Sequence, residues 1–558
     1  MKKAIIAAIF PLSFLSLSVV YAAQYEVIEL AVAELGESTF PTAINNVGES
    51  VVNVSLQYNP VIDTTLIDFD SATVILGLDN LDGVRGGDLS DEDYTWLYNY
   101  IVANSENIQF QQIGSLNSYV ASENSSELIH GFDTIDPNTD DYRNSVRTQV
   151  RSINDFGYTV GKSQDGFYTL DHQSEDFIDF TYVLNNFYSR GFAQIEGDIV
   201  ELPPPDVTAG GISDAYDINA SNQVVGYGTT TFVSDTYSSG VETCADPTER
   251  GDIPEQYCLR SLSMSLNSSV ASVAQQRGLI WQVDERGKLI DTYTLGMLIE
   301  PDDSSSAVYA SRAVAINDYG IAVGESPSYY QYSTTLTTAA AIYIGDEVST
   351  INENEDVYTS TASDINNDGL VVGYITKDVN GTTRSKFFVH SIEADLTIYP
   401  DDFFDGSSSE ATSINNEGFI VGFGESDYSL TGRRTEGFIY DYKNDIFQGL
   451  NSLIECNSDY DIVQANGIND NNEIIATALI SKAQKNIRGE IVLDELGAQT
   501  EVDTVVVVKL SPISGGSIDN CDVYEEEITR EGASMTWWLS LSLLGLFIVR
   551  RKIGLDIN

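Results

Sequence analysis

The 558-residue chain holds only three histidines, His130, His172 and His390. A Ser/His/Asp constellation or a histidine-based metal site is not expected from so few imidazoles. Cations are scarce as well: 28 Lys and Arg stand against 84 Asp and Glu, a net charge of −56. Phosphate backbones need cations opposite them, which excludes nucleic acid as a partner and disfavours anionic lipid. The sequence has no G-x-S-x-G, H-E-x-x-H, G-x-x-x-x-G-K or G-x-G-x-x-G segment, which removes the common nucleophile, zinc and phosphate-loop chemistries. Acid pairs of the glycosidase kind arise by chance among 84 carboxylates and single out no residues. There are four cysteines, Cys244, Cys258, Cys456 and Cys521. An even number in an exported chain suggests disulfides. Cys244–Cys258 and Cys456–Cys521 is the natural pairing, although none of the three connectivities is excluded by sequence.

Hydrophobic residues make up 42% of the chain and aromatics 10%, enough for a packed core. A single core stops growing near ~250–300 residues, so 558 residues imply several domains or a repeat architecture. The excess negative charge suits solubility in a salty exterior, or divalent-cation binding by carboxylates and carbonyls.

Both ends carry targeting signals. Met1-Lys2-Lys3, an apolar run from Ala4 to Val20 and small residues at Ala22 and Ala23 read as a secretory signal peptide over 1–22, cut by signal peptidase. Near the other end, Gly532-Ala533-Ser534 precedes an uncharged apolar run, Met535 to Val549, and then Arg550-Arg551-Lys552. That pattern predicts a transmembrane helix with a basic cytoplasmic stop and the bulk of the chain outside. Small residues, apolar span and basic stop resemble the GlyGly-CTERM sorting tail, with Gly-Ala-Ser where that signal has Gly-Gly-Ser. The resemblance implies cutting at Gly532–Ser534 by a rhomboid-type protease and release to the cell surface or medium. Without cutting, the chain would stay anchored in the inner membrane, facing the periplasm.

The body repeats one motif: AINNVGESVV from Ala43, SINDFGYTVG from Ser152, DINASNQVVG from Asp217, AINDYGIAVG from Ala315, DINNDGLVVG from Asp364, SINNEGFIVG from Ser413 and GINDNNEIIA from Gly467. Ile316, Ile365 and Ile414 recur at 49-residue intervals, while intervals of 98 and 109 earlier in the chain suggest degenerate copies between. Each motif reads as a hairpin. The Ile ends one strand, Asn caps the turn, Gly supplies φ > 0, and the apolar run is a buried strand. Upstream runs such as GLIWQV and GFIYDY add strands, giving about four strands in about 50 residues, the size of a β-propeller blade. The motifs resemble the HAF repeat of bacterial extracellular proteins. That resemblance implies a surface or secreted location, a propeller and no known catalytic residues.

The expectation is an all-β propeller of seven or eight four-stranded blades over 23–480, with a β-solenoid or a string of sandwiches as alternatives. Insertions break it at about 60–150 and 229–276, and a terminal strand pair and acidic spacer occupy 481–531. Within the first insertion a helix is expected over Ser90–Asn104, capped by Ser90, with Trp96, Leu97, Tyr100 and Ile101 on one face. Long insertions on a repeat scaffold map to one face, where binding often occurs. Asp364-x-Asn366-x-Asp368-Gly369 matches the opening of a calcium loop, but the acid expected at the twelfth position is Ile375. Calcium at Asp364, Asn366 and Asp368 is therefore an expectation with a competing explanation, the hairpin turn itself. The expected function is non-enzymatic: an exported binding or scaffold module for an unidentified glycan or protein. An extracellular polysaccharide-active enzyme and a structural matrix component are the alternatives.

Overall fold

A computed structural model of the chain describes residues 25–516 apart from 105–109, 137–139, 233–234, 302–306, 331–334, 352–355 and 428–431. The signal segment 1–22, Cys521, Gly532–Ser534, the apolar span and Arg550–Lys552 lie outside the described residues. Among those described, no helix is long and apolar enough to cross a membrane.

Seven four-stranded antiparallel sheets follow one another along the chain. Their innermost strands are Gly36–Ile44, Thr148–Ile153, Ser213–Ile218, Arg312–Ile316, Val357–Ile365, Ser409–Ile414 and Asp461–Ile468, which define blades one to seven. Each ends at the isoleucine of one sequence motif, so seven motifs make seven blades. Among the described residues the long intervals hold no degenerate copies. They hold insertions, residues 58–115 inside blade one and 233–273 inside blade three. The insertion expected over 60–150 was drawn too wide, because Leu116–Ala121 and Ser126–Ile129 are the outer strands of blade one. The propeller also runs past residue 480. Ile474–Ala483 and Glu501–Pro512 belong to blade seven, and Tyr25–Glu29 is its outermost strand, paired Tyr25 to Pro512 and Glu29 to Val508. The first described strand thus closes the ring onto the last, so unpairing either end would expose a sheet edge.

The core lies between blades. Side chains alternate along each strand, and successive sheets meet face to face. Ile195, Leu202, Val224 and Trp281 fill the junction of blades two and three, and Val389, Phe387, Ile420 and Phe438 that of blades five and six. A β-bulge interrupts every innermost strand at the same place, two residues before the motif isoleucine: Thr42, Arg151, Tyr216, Val314, Ser363, Thr412 and Asn466. The bulge explains the glycine ending V-V-G. A Cβ on Gly373 would stand 2.1 Å from the Thr361 carbonyl oxygen, and one on Gly226 2.0 Å from that of Asp214. At these two positions a side chain would collide with the bulge, whereas blades one and seven carry Asn53 and Ala476 at the corresponding place.

Candidate functional site

The first turn of each blade builds one mouth of the central channel. The motif asparagine folds its carboxamide oxygen back onto two amides of its own turn. For Asn366 these are Asp368 N–H at 3.1 Å and Leu370 N–H at 2.9 Å. The same carboxamide donates its N–H to the carbonyl of the corresponding asparagine in the next blade. The bonds run Asn45 to Asn154, Asn154 to Asn219, Asn219 to Asn317, Asn317 to Asn366, Asn366 to Asn415, Asn415 to Asn469, and Asn469 back to Asn45. Their lengths span 2.9 to 3.3 Å, and all seven side chains are buried. The asparagine thus satisfies both of its polar ends in a closed seven-membered circle.

A second circle lies outside the first. The residue after each ring asparagine donates its backbone N–H to the side-chain oxygen of its counterpart: Asn46 to Asp155, Ala220 to Asp318, Asp318 to Asn367, Asn367 to Asn416, Asn416 to Asp470 and Asp470 to Asn46. The seventh link is missing because Ala220 offers Asp155 no acceptor.

Behind this mouth the channel encloses about 460 Å³. Two carboxylates stand on its wall, Asp217 and Asp364. Asp217 accepts from Ser152 Oγ at 2.6 Å and Ile316 N–H at 2.9 Å. Asp364 accepts from Ser413 Oγ at 2.9 Å, Ile414 N–H at 2.8 Å and Ile365 N–H at 2.8 Å. Burial, and then the charge of Asp217, push the Asp364 carboxyl up to about 7. Burial likewise raises Asp217. The structure does not gather Asp364, Asn366 and Asp368 around one point. Asp364 lines the channel, Asn366 is committed to the ring, and Asp368 is exposed at the turn tip. Among the described residues no group of three or more His, Cys, Asp or Glu is placed to hold a metal. The three histidines each have a different partner. His130 stacks on Tyr142, His172 contacts Asp252 at 3.3 Å, and His390 meets Thr397 at 2.9 Å.

The opposite face is built differently. Each innermost strand ends at the asparagine mouth, the second strand returns, and the connection to the third strand emerges on the far side. Four long insertions sit in this connection, in blades seven, one, two and three: residues 484–500, 58–115, 164–189 and 233–273, while a further long segment, 130–147, links blade one to blade two and carries the short hairpin Ile135–Asp136 and Asp141–Tyr142. They pack on one another. Asn59 N–H reaches Ile487 O at 2.7 Å. Arg488 pairs with Asp91 at 3.0 Å and lies over Tyr94. The hairpin Tyr168–Gln173 and Asp179–Leu184 in blade two sets Tyr182 against Tyr257 of blade three, ring centroids 5.0 Å apart. In blades four, five and six the same connection is short, so the cap covers the blade seven-to-three side of the face.

Helix Asp91–Ala103 forms where its sequence places it, with Ser90 accepting from Asp93 N–H. Its buried face is Tyr94, Leu97, Tyr98 and Ile101, a regular i, i+3, i+4, i+7 stripe. Trp96 and Tyr100, expected on that face, stack on each other along its flank. In blade three, Cys244 and Cys258 are bonded, joining helix Thr236–Ala245 to helix Glu255–Val273. Cys521, the expected partner of Cys456, lies outside the described residues. Where the first three insertions meet, a cleft of about 220 Å³ opens, lined by Tyr98, Gln112, Arg147, Gln164, Arg260 and Met264 among others. No sequence motif marks it, because its walls come from three separate insertions and from the link between blades one and two.

A seven-bladed propeller with a capped face is the class these observations define. The family model described as "Protein of unknown function (DUF3466)" matches residues 4–552, and the chain belongs to that family. No curated protein matches the chain. Among solved structures, it is similar to a puromycin hydrolase (10% identity, TM-score 0.33, 66% of this chain and 46% of that one). It therefore spans under half the length of that enzyme. It is also similar to the β-propeller domain of the Trilobed protease from Pyrococcus furiosus (8% identity, TM-score 0.30, 70% and 88%), and to an oligogalacturonate lyase (9% identity, TM-score 0.26, 66% and 97%). Likenesses this distant carry no argument about activity.

Proposed function

We propose that the chain is an exported binding protein whose propeller is a rigid platform and whose ligand is taken on the capped face. One observation carries this reading: four insertions from consecutive blades all occupy the same connection and pack into one continuous layer. A scaffold that extends the same loop four times on one face, and keeps tight turns on the other, is built to present surface there. The cap exposes Leu76 at 86% and Phe177 at 82% at its tips, two positions at which the reading can be tested. Export and tail processing are part of the proposal and rest on the two chain ends. Binding without turnover is part of it too.

The test compares retention of the full chain on cell-envelope polysaccharide and on a glycan array. Leu76→Asp and Phe177→Asp are expected to weaken retention. Tyr319→Asp, on an equally exposed residue of the asparagine mouth (76%), is expected to leave it intact. Loss at Tyr319 with none at the cap would reverse the reading, and release of glycan fragments by the purified chain would replace it with the enzymatic alternative.

A further inference from the structure

The seven repeats agree at the asparagine mouth and diverge deeper in the channel. Five residues before each ring asparagine stand Phe40, Gln149, Asp214, Arg312, Thr361 and Glu410 in blades one to six. The next residue is a buried alanine in blades three to seven, Ala215, Ala313, Ala362, Ala411 and Ala465. Strand alternation therefore turns the diverging position away from the core between blades. The innermost strands run toward the mouth, so this level lies toward the capped face. Register sets a second-strand residue across from it: Lys162 opposite Gln149, Tyr227 opposite Asp214, Glu325 opposite Arg312 and Tyr374 opposite Thr361. Arg151 and Tyr216, which line the channel at the bulge, reach the same level. A position that only held the ring together would repeat from blade to blade, as the asparagine does. One that differs in nearly every blade breaks the seven-fold pattern, as recognition of an asymmetric ligand requires.

Over the diverging position, its register partner and the bulge residue, the charged side chains of all seven blades are Arg151, Lys162 and Arg312 against Asp214, Glu325 and Glu410. Three cations thus meet three acids, in a chain of 28 cations and 84 acids. Buried Asp214 accepts from Arg151 Nη2 at 3.0 Å and from Lys162 Nζ at 2.8 Å, both on Oδ2. Arg312 faces Glu325 at 3.3 Å, and Thr361 Oγ1 donates to the other Glu325 oxygen at 3.3 Å. Arg151 lies 4.7 Å from the Tyr216 ring centre and Arg312 5.3 Å from that of Tyr227. Three buried atoms of this set have no hydrogen-bond partner among the described residues: the acceptor Asp214 Oδ1 and the donors Arg151 Nε and Arg312 Nε. Native structures leave few such atoms, and these three are of both polarities. The Arg312 side chain is 41% exposed, so solvent reaches this level.

We propose that this level of the channel binds a neutral sugar residue, its hydroxyls serving Asp214, Arg151 and Arg312 and its ring lying against Tyr216, Tyr227 and Tyr374. A hydroxyl both donates and accepts, so adjacent hydroxyls of one ring can meet an unpaired acceptor and an unpaired donor together. Tyrosines beside planar polar groups give such a ring apolar wall and fixed orientation. A charged ligand would be desolvated against a set that is already balanced, with no counter-charge left for it. The inference rests on the capped face being the binding face, and names the place and the class of ligand taken there.

The experiment titrates the full exported chain, followed by ligand-detected NMR, with glucose, galactose, mannose and N-acetylglucosamine. Glucuronate and glucosamine serve as charged forms of the same ring. At least one neutral sugar is expected to bind, and more tightly than either charged form. Arg312→Gln removes a charged donor at a half-exposed position and is expected to weaken that binding roughly tenfold. Thr361→Trp fills the same level without altering charge and is expected to abolish it, with circular dichroism checking the fold of both variants. Asp214→Asn is avoided, because it strips Arg151 and Lys162 of their buried counter-charge. No binding of any neutral sugar, equal or tighter binding of a charged form, or unchanged affinity in either variant overturns the inference. If the cap-tip substitutions weaken envelope retention while no neutral sugar binds, only this inference fails. If those substitutions have no effect, the binding-face reading fails, while sugar binding sensitive to Arg312→Gln would still place a site in the channel.

Discussion

Replacing one ring asparagine tests whether the inner circle holds the propeller together. Asn366→Ala removes three hydrogen bonds at once: those from Asp368 N–H and Leu370 N–H, and the one donated to Asn415 O. A protein hydrogen bond contributes a net ~1 kcal/mol, and a buried group left without a partner costs ~1–3 kcal/mol. Leu370 and Asn415 are buried, so the loss should be about 3 kcal/mol. Asn366→Asp separates the local from the cross-blade part. A carboxylate can still accept both turn amides, and Asp caps a turn as well as Asn does. It cannot donate to Asn415 O, and it places charge against that carbonyl. Asn366→Asp should therefore also destabilise, by at least ~1 kcal/mol. Asn367→Ala, in the more exposed second circle, should cost less than ~1 kcal/mol. Urea unfolding followed by circular dichroism reads all three as midpoint shifts. Near-wild-type stability for Asn366→Asp would refute the reasoning, because the turn alone would then explain the residue.

Further outcomes follow from neighbouring features. Ala220→Asn supplies the acceptor that Asp155 N–H lacks, and should raise stability by ~0.5 kcal/mol in the same urea assay. The Asp364 carboxyl sits at about 7 in the fold against an ordinary 3.8. Between those values the folded chain holds a proton that the unfolded chain has lost. The contribution of Asp364 to stability should therefore be greatest below about pH 4, fall as pH rises to about 7, and level off above. Asp217→Asn removes the second-largest cause of that shift. Its amide can still accept from Ile316 N–H and donate to the Ser152 hydroxyl, so the pH slope of unfolding should flatten without a large loss at pH 5. Reducing Cys244–Cys258 opens a loop whose ends are 14 residues apart, worth ~3 kcal/mol on the chain-entropy account. Amide exchange should accelerate across 236–273 and stay unchanged in blade five. Intact mass of chain recovered outside the cell should run from near Ala23 to Gly532–Ser534. A full-length tail found only in the inner membrane would reject surface release.

The repeat was legible because each blade carries the same local solution. The turn Asn and the following positive-φ residue, Gly in five blades and Asn222 or Asn472 in blades three and seven, obey rules that act within five residues, and those rules placed all seven hairpins. Blade number was harder to read. An interval of 98 residues between Ile218 and Ile316 admits either a worn copy or an insertion, and local patterning does not separate them. The seven-fold recurrence of Asn after Ile was visible, but its second role was not. A turn cap needs only the carboxamide oxygen, and what the nitrogen does depends on where the next blade lies. The bulge was hidden for the same reason, although the glycine ending V-V-G was its trace in sequence. Asp364 read as a calcium-loop acid because its spacing to Asn366 and Asp368 matches one. In the fold the bulge turns Asp364 into the channel, while the cap and the ring claim Asn366.

Two demands on this chain are met on opposite faces. The asparagine circle needs seven turns of nearly equal geometry, and any lengthening there would break a cross-blade bond. It therefore forbids insertion at its own mouth, and none of the seven motif turns is extended. The second-to-third connection carries no such circle. Its length can change blade by blade, at a loop-closure cost that grows only by ~0.6 kcal/mol per doubling. Insertions in adjacent blades can then bury each other's apolar surface, as Ile487 does against the helical insertion of blade one. An insertion between bare blades would find no such partner. That asymmetry accounts for the cap spreading over consecutive blades, where variation is least constrained by the ring.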